Sequence, residues 1–258
     1  MNTQTTYEFP LNERMRVFMR LEHLFIQLKH FLGGSSALDK RAVMTTLIDI
    51  LSIFSRNNLK SELLIEIERL SRVLGIVASS PEVDTKKLQD MLRKLEETKN
   101  NLYASSGKVG GKLISNNLFQ CVSQRSAIPG GSCSFDLPAF HYWLMQDEAV
   151  LAKQLDEWIK PFLEIHEAIE LVLNFIRQSN DPTEEVAKGG FFQLSLPLEV
   201  NESVQLLRVQ VEKTTPYFAE ISGGKHRFTV RFMSLGLDSD RPVQTNRDVP
   251  FLLTCCQM

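Results

Sequence analysis

The spacing of apolar residues changes once along this 258-residue chain, at Asn180-Asp181-Pro182, and that change constrains the fold more than any motif. Before it, apolar side chains recur at steps of three and four, the period of a helix with one buried face. Phe18, Leu21, Phe25, Leu28 and Leu32 mark a first helix, broken by Gly33-Gly34-Ser35-Ser36. Val43, Leu47, Leu51 and Phe54 mark a second, which stops near Asn57-Asn58. A third uses Leu63, Ile67, Leu70 and Leu74, and a fourth Leu88, Met91, Leu92, Leu95 and Leu102. One short helix is expected over 113–125. Ile128-Pro129-Gly130-Gly131 reads as a turn and residues 132–137 as a short extended piece. Pro138 suits the first turn of a helix, where its missing N–H is one the helix leaves unpaired anyway. Further helices are expected over 150–159 and 162–177, separated by Pro161.

Beyond Pro182 the period is two. Residues 191–198 and 205–212 alternate as strands, and 217–221 and 226–233 flank Ser222-Gly223-Gly224-Lys225, a hairpin signal. Residues 248–255 form a plausible closing strand, and 5–9 also alternate. The expected class is therefore α+β: an N-terminal and central α-helical bundle over 10–180, then a smaller antiparallel β-sheet domain over 181–258. Residues 3–9 can add a strand to that sheet.

A hydrophobic share of 43 % with 23 % charged residues is ordinary globular usage. A formal net charge of −2 argues against a general nucleic-acid binder, which needs a basic excess to neutralise phosphates. The charge is uneven: residues 1–120 hold 17 Lys and Arg against 13 Asp and Glu, residues 121–258 hold 12 against 18. A basic first half fits an acidic protein partner; chance asymmetry between solvated helix faces fits as well. No signal peptide is visible at the start, and no apolar run approaches the ~18 residues of a membrane span. Cys121, Cys133, Cys255 and Cys256 lack the spacing of a disulfide framework, so the expected compartment is the cytoplasm.

No set of residues here meets the requirements of catalysis or of a metal or cofactor site. Ser106-Gly107-Lys108-Val109-Gly110-Gly111-Lys112 resembles a phosphate loop but lacks its first glycine and the Ser or Thr after the lysine. Cys133, Asp136 and His141 are close in sequence, yet nucleophile and base are normally assembled in space; a buried structural Cys and a surface His are expected. Cys255-Cys256 is too tight a pair for one zinc chelate. Trp143 and Trp158 read as core.

The segment His226 to Phe232 carries most of the functional signal. Alternation sends Phe228, Val230 and Phe232 to a core and Arg227, Thr229 and Arg231 to the other face. The two arginines, taken as about 7 Å apart from the two-residue repeat, with Lys225 in the turn, form a rail for carboxylates, which arginine grips bidentately. A solvated sheet face would give the same pattern.

Tyr7-Glu8-Phe9-Pro10-Leu11-Asn12-Glu13-Arg14-Met15-Arg16, with Arg20-Leu21-Glu22, resembles the opening of the ZapD family (Z-ring-associated protein D, or YacF). So does the block from Ile128 through Gly130-Gly131-Ser132-Cys133 and Phe135-Asp136-Leu137-Pro138 to His141 and Trp143-Leu144. Ile176-Arg177-Gln178-Ser179, Ile221-Ser222-Gly223, Arg227-Phe228, Arg231-Phe232-Met233 and Cys255-Cys256 follow in family order. The resemblance implies a non-enzymatic homodimer that binds the C-terminal tail of the division protein FtsZ and bundles its filaments at midcell. It needs no cofactor or metal and engages no nucleic acid and no membrane. Family binding is attributed to basic residues; the matching positions are Arg16, Arg20, Arg56, His141, Lys225, Arg227 and Arg231, with Lys108 and Arg125 added. Relatives carry more arginine where this chain has Asn116-Asn117, which would reshape one edge of the basic surface. The alternative function is single-stranded nucleic-acid binding through the basic sheet and loops.

Overall fold

The computed structural model describes residues 3–77, 85–104, 109–196, 204–224, 226–235 and 241–257. The chain forms two compact units, one of residues 17–172 and one of residues 1–16 with 173–258.

The first unit is helical. It is built on α1 (Glu13–Leu32), α2 (Ala37–Arg56), α3 (Leu59–Val77), α4 (Thr85–Ala104), α5 (Gly111–Ile114), α6 (Asn117–Arg125), α7 (Pro138–Leu144) and α8 (Glu148–Arg177), with α1 and α8 running on into the second unit. The periodic apolar residues form its core: Phe18, Leu21, Leu47, Leu63, Ile67 and Leu70 are all fully buried. Ser36 starts α2 with a reciprocal cap, its hydroxyl accepting from Asp39 N–H at 3.1 Å while Asp39 accepts from Ser36 N–H at 3.0 Å. Lys40 is buried yet satisfied, its Nζ donating to Gly34 O at 2.8 Å.

Three expectations for this region change. Pro161 does not separate two helices; it lies inside α8 on an exposed face. An interior proline costs about 3 kcal/mol. Each large apolar side chain buried recovers roughly 1.5–3 kcal/mol, and Trp158, Ile159, Phe162 and Ile165 carry the buried stripe across the proline. The single helix over 113–125 is two, because Asn116 stops α5 and caps α6, its Oδ1 accepting from Phe119 N–H at 3.0 Å. Residues 132–137 are consecutive tight turns rather than extended chain. Gly131 N–H bonds Ile128 O at 2.9 Å, Cys133 N–H bonds Gly130 O at 3.0 Å and Leu137 N–H bonds Cys133 O at 2.9 Å. Gly130 supplies the positive φ of 71° that the turns need.

The second unit is a β-sandwich. Its first sheet runs β1 (Gln4–Pro10), β4 (Val204–Glu212), β8 (Val249–Gln257) and β2 (Thr183–Ala187). Its second runs β3 (Phe191–Ser195), β6 (Arg227–Ser234) and β5 (Phe218–Gly223), with β7 (Val243–Gln244) also pairing with β6. All pairings between these strands are antiparallel. Residues 5–9 do add a strand, from Tyr7 opposite Val209 to Phe9 opposite Leu207. Sequence alternation did not reveal β2, whose Thr-Glu-Glu-Val-Ala has little apolar period, nor the two residues of β7.

Val209, Val211, Phe251 and Leu253 from the first sheet pack with Phe228, Val230 and Phe232 from the second in one buried cluster. The Phe232 and Phe251 rings sit 5.3 Å apart at 57°. On the far face of the first sheet, Glu8 is held between two arginines. Arg177, ending α8, donates through Nη2 to Glu8 Oε2 at 2.8 Å, and Arg208 donates through Nε to Glu8 Oε1 at 2.9 Å. The side chains are 17–25 % exposed, dry enough for the pairing to count. Glu8→Gln leaves two half-buried guanidinium groups facing a neutral amide. It should lower stability by about 2 kcal/mol, measured as a shift in the urea midpoint at unchanged slope.

Candidate functional site

The sandwich decides which way β6 faces. Phe228, Val230 and Phe232 are at most 1 % exposed, so Arg227, Thr229 and Arg231 turn to the outer face of the second sheet. The sides are as the sequence predicts, but the spacing is not. Arg227 and Arg231 are four residues apart with Thr229 between them, so roughly 13 Å of strand separates them at about 3.3 Å per residue.

Register adds what the sequence did not reveal. Phe191 of β3 and Glu220 of β5 lie opposite Arg231; Gln193 and Ser222 lie opposite Thr229; Ser195 lies opposite Arg227. These side chains share one face. They border a shallow depression of about 930 Å³, open to solvent, with Gln193, Ser222 and both arginines in its wall. Ser222 and Thr229 hydroxyls are 2.9 Å apart. Glu220 is a carboxylate on the same face, yet no described carboxylate comes within 4.0 Å of Arg227 or Arg231. The two guanidinium groups thus keep their donors available to solvent or ligand.

The remaining candidates are scattered. Arg16 is half-buried in the β unit, with Nε 3.3 Å from Glu13 Oε2 and its guanidinium 6.0 Å from the centre of the Phe9 ring. Arg20 on α1, Arg56 ending α2 and His141 on α7 are exposed, and Arg125 ending α6 is half-buried. They belong to the helical unit and lie on different helices, with no hydrogen bond among them. Lys108 and Lys225 fall outside the described residues. Asn116 caps α6.

A cation not singled out by sequence, Arg41, organises the central block. Its Nη1 donates to Ser132 O at 2.7 Å and to Ser132 Oγ at 3.0 Å, and it lies 5.0 Å over the Phe140 ring. Phe140, Trp143 and Trp158 continue as a near-parallel stack at 5.7 and 5.8 Å, with Trp143 Nε1 donating to Gln154 Oε1 at 2.7 Å. Both tryptophans are core. Cys133 is half-buried rather than buried, and its Sγ donates to Asp136 Oδ2 at 3.3 Å, with no hydrogen bond to His141. Cys255 and Cys256 are neighbours on β8 and point to opposite faces. Burial pushes the Cys256 thiol up to about 12, against the pull of Arg208, so it stays protonated and a poor ligand. Among the described residues no group of three or more His, Cys, Asp or Glu is placed to hold a metal ion. No helix among them is long and apolar enough to cross a membrane.

Because their side chains are exposed and pair with no described carboxylate, Arg227→Ala and Arg231→Ala should each change stability by no more than about 0.5 kcal/mol. Thermal unfolding of the two variants beside the parent checks this; a large loss would mean that the arginines hold the sheet together.

The family model for the cell division protein ZapD matches residues 19–231 of the chain. A cell division protein ZapD of Methylococcus capsulatus is 48 % identical over 256 residues, covering 99 % of each chain. Those of Aromatoleum aromaticum and Azoarcus sp. are each 36 % identical over 253 residues, covering 98 % of this chain and 97 % and 99 % of theirs. The match takes in both units and most of β6, and the chain belongs to the ZapD family of cell division proteins.

Proposed function

We propose that the protein binds the C-terminal tail of FtsZ through the outer face of its second sheet and, as a homodimer, cross-links FtsZ filaments at midcell in the cytoplasm. The observation that carries this reading is the pair Arg227 and Arg231. Both are exposed on one rigid face beside an open depression, and neither is neutralised by a described carboxylate. A planar guanidinium with spare donors pairs bidentately with a carboxylate, so an acidic tail is a fitting ligand. Membership of a division family supplies the setting.

Bundling then follows from valency. A particle with two tail sites captures a second filament at high effective concentration once the first is bound, so single contacts can be weak and exchange quickly. Arg16, Arg20, Arg56, Lys108, Arg125, His141 and Lys225 enter this reading as further basic contacts. Single-stranded nucleic acid fits less well. Beside the arginines the exposed rings among the described residues are Phe191, at 38 %, and the imidazole of His226, fewer than the series of aromatic rings that stacking platforms use.

The test is co-sedimentation with FtsZ polymers, full length and lacking the tail. Pelleting should require the tail, and it should weaken as salt rises, since contacts between exposed charges are screened over a Debye length of about 8 Å at physiological ionic strength. Arg227→Glu with Arg231→Glu should abolish it while the fold is kept. Equal pelleting with and without the tail, or normal binding by the doubly reversed protein, would sink the reading.

A further inference from the structure

The second sheet ends on one side at β3, with no described strand beyond it. Backbone bonding shows which of its groups are spare. Leu196 N–H donates to His226 O at 2.8 Å, and Phe232 N–H donates to Gly190 O at 2.8 Å. With the register of β3 against β6, the main-chain groups of Gly190, Phe192, Leu194 and Leu196 face β6. Those of Phe191, Gln193 and Ser195 face outward. Phe191 N–H is taken by Lys188 O at 3.0 Å. The Phe191 carbonyl, and the N–H and carbonyl of Gln193 and Ser195, have no partner among the described residues.

Such a row of donors and acceptors is a template for another strand, and proteins usually guard it with charge, proline or a bulge. The other edges show this. β2 carries Glu184 and Glu185, β1 ends in Pro10, and β5 carries Glu220. β3 reads Phe-Phe-Gln-Leu-Ser, with neither charge nor proline.

The side chains around this edge select what it would accept. Arg227 lies opposite Ser195, whose short side chain leaves the guanidinium room to reach past β3. Arg231 lies opposite Phe191 on the same face. On the other face of β3, Leu194 is left 39 % exposed beside the core. A strand added about 4.8 Å beyond β3 would turn alternate side chains towards the arginines and towards Leu194.

We propose that β3 is a docking edge at which an extended acidic peptide adds as a strand, with carboxylates facing Arg227 and Arg231 and the intervening apolar residues covering Leu194. This rests on the tail-binding reading above and gives it a geometry. Main-chain hydrogen bonds supply affinity that does not depend on sequence, and the arginines select for acid.

The test uses the full chain and synthetic FtsZ tail peptides carrying a single backbone N-methyl group, moved one residue at a time, with binding read by fluorescence anisotropy. Methyl groups on amides that face β3 should weaken binding about tenfold or more, and those on intervening amides should leave it nearly unchanged, giving a period of two. Gln193→Pro removes an outward N–H that the sheet does not use, so it should weaken binding well beyond Gln193→Ala, which removes the side chain alone. If Gln193→Pro fails to fold, the methyl scan decides alone. Binding of the unmodified peptide with no alternation in the scan would overturn strand addition and leave the arginine face standing. No binding of the unmodified peptide to the parent protein would remove the tail-binding reading and this inference with it. A Gln193→Pro protein that changes its oligomeric state but binds peptide as the parent does would show that the edge pairs copies of the chain, which also overturns the proposal.

Discussion

The burial of Phe228, Val230 and Phe232 is the constraint on which the rest depends. Those three residues form the centre of the second sheet's side of the sandwich core, with Phe251, Val209 and Leu253 of the first sheet in the same cluster. Transfer of such side chains from water is worth roughly 1.5–3 kcal/mol each, so a one-residue slip of β6 is ruled out. Since a strand alternates, the same burial sends Arg227, Thr229 and Arg231 outward. The arginine face proposed for binding is therefore a by-product of the core: nothing on the outer side of the sheet has to pay for holding the arginines there. Neither arginine pairs with a described carboxylate, which leaves their charge free for a ligand.

A second constraint fixes the first sheet, and through it the platform. Glu8 lies opposite Arg208 across the β1–β4 pairing and meets Arg177 from the last turn of α8. Arg208 also donates to the Arg177 carbonyl at 3.3 Å, satisfying one of the acceptors that a helix end leaves open. Residues from the start, middle and end of the chain thus meet in one cluster within the β unit. Cys256 sits among these charges, and its burial keeps it a neutral thiol.

Much of this was legible in the sequence where one interaction dominates. Helix existence followed from the apolar period, and the inward and outward sides of β6 followed from alternation alone. Legibility failed where two effects compete or where distant segments meet. Pro161 argues locally for a break, but the buried stripe through Trp158 and Phe162 continues the helix. Asn116 looked like a missing basic residue, and its local role is to cap α6. The glutamates of β2 conceal its strand period. No local pattern could place Phe191, Gln193 and Ser195 beside the arginines, because register across the sheet is set by pairing between segments far apart in sequence.

The most direct measurement is residue-resolved amide hydrogen exchange of the full chain, with and without saturating FtsZ tail peptide. The outward amides of Gln193 and Ser195 should exchange quickly in the free protein and slow markedly when peptide is bound. The neighbouring amides of Phe192 and Leu194, which already face β6, should change little. Protection confined to residues 17–172, with β3 and β6 unaltered, would contradict the account and place the tail site on the helical unit.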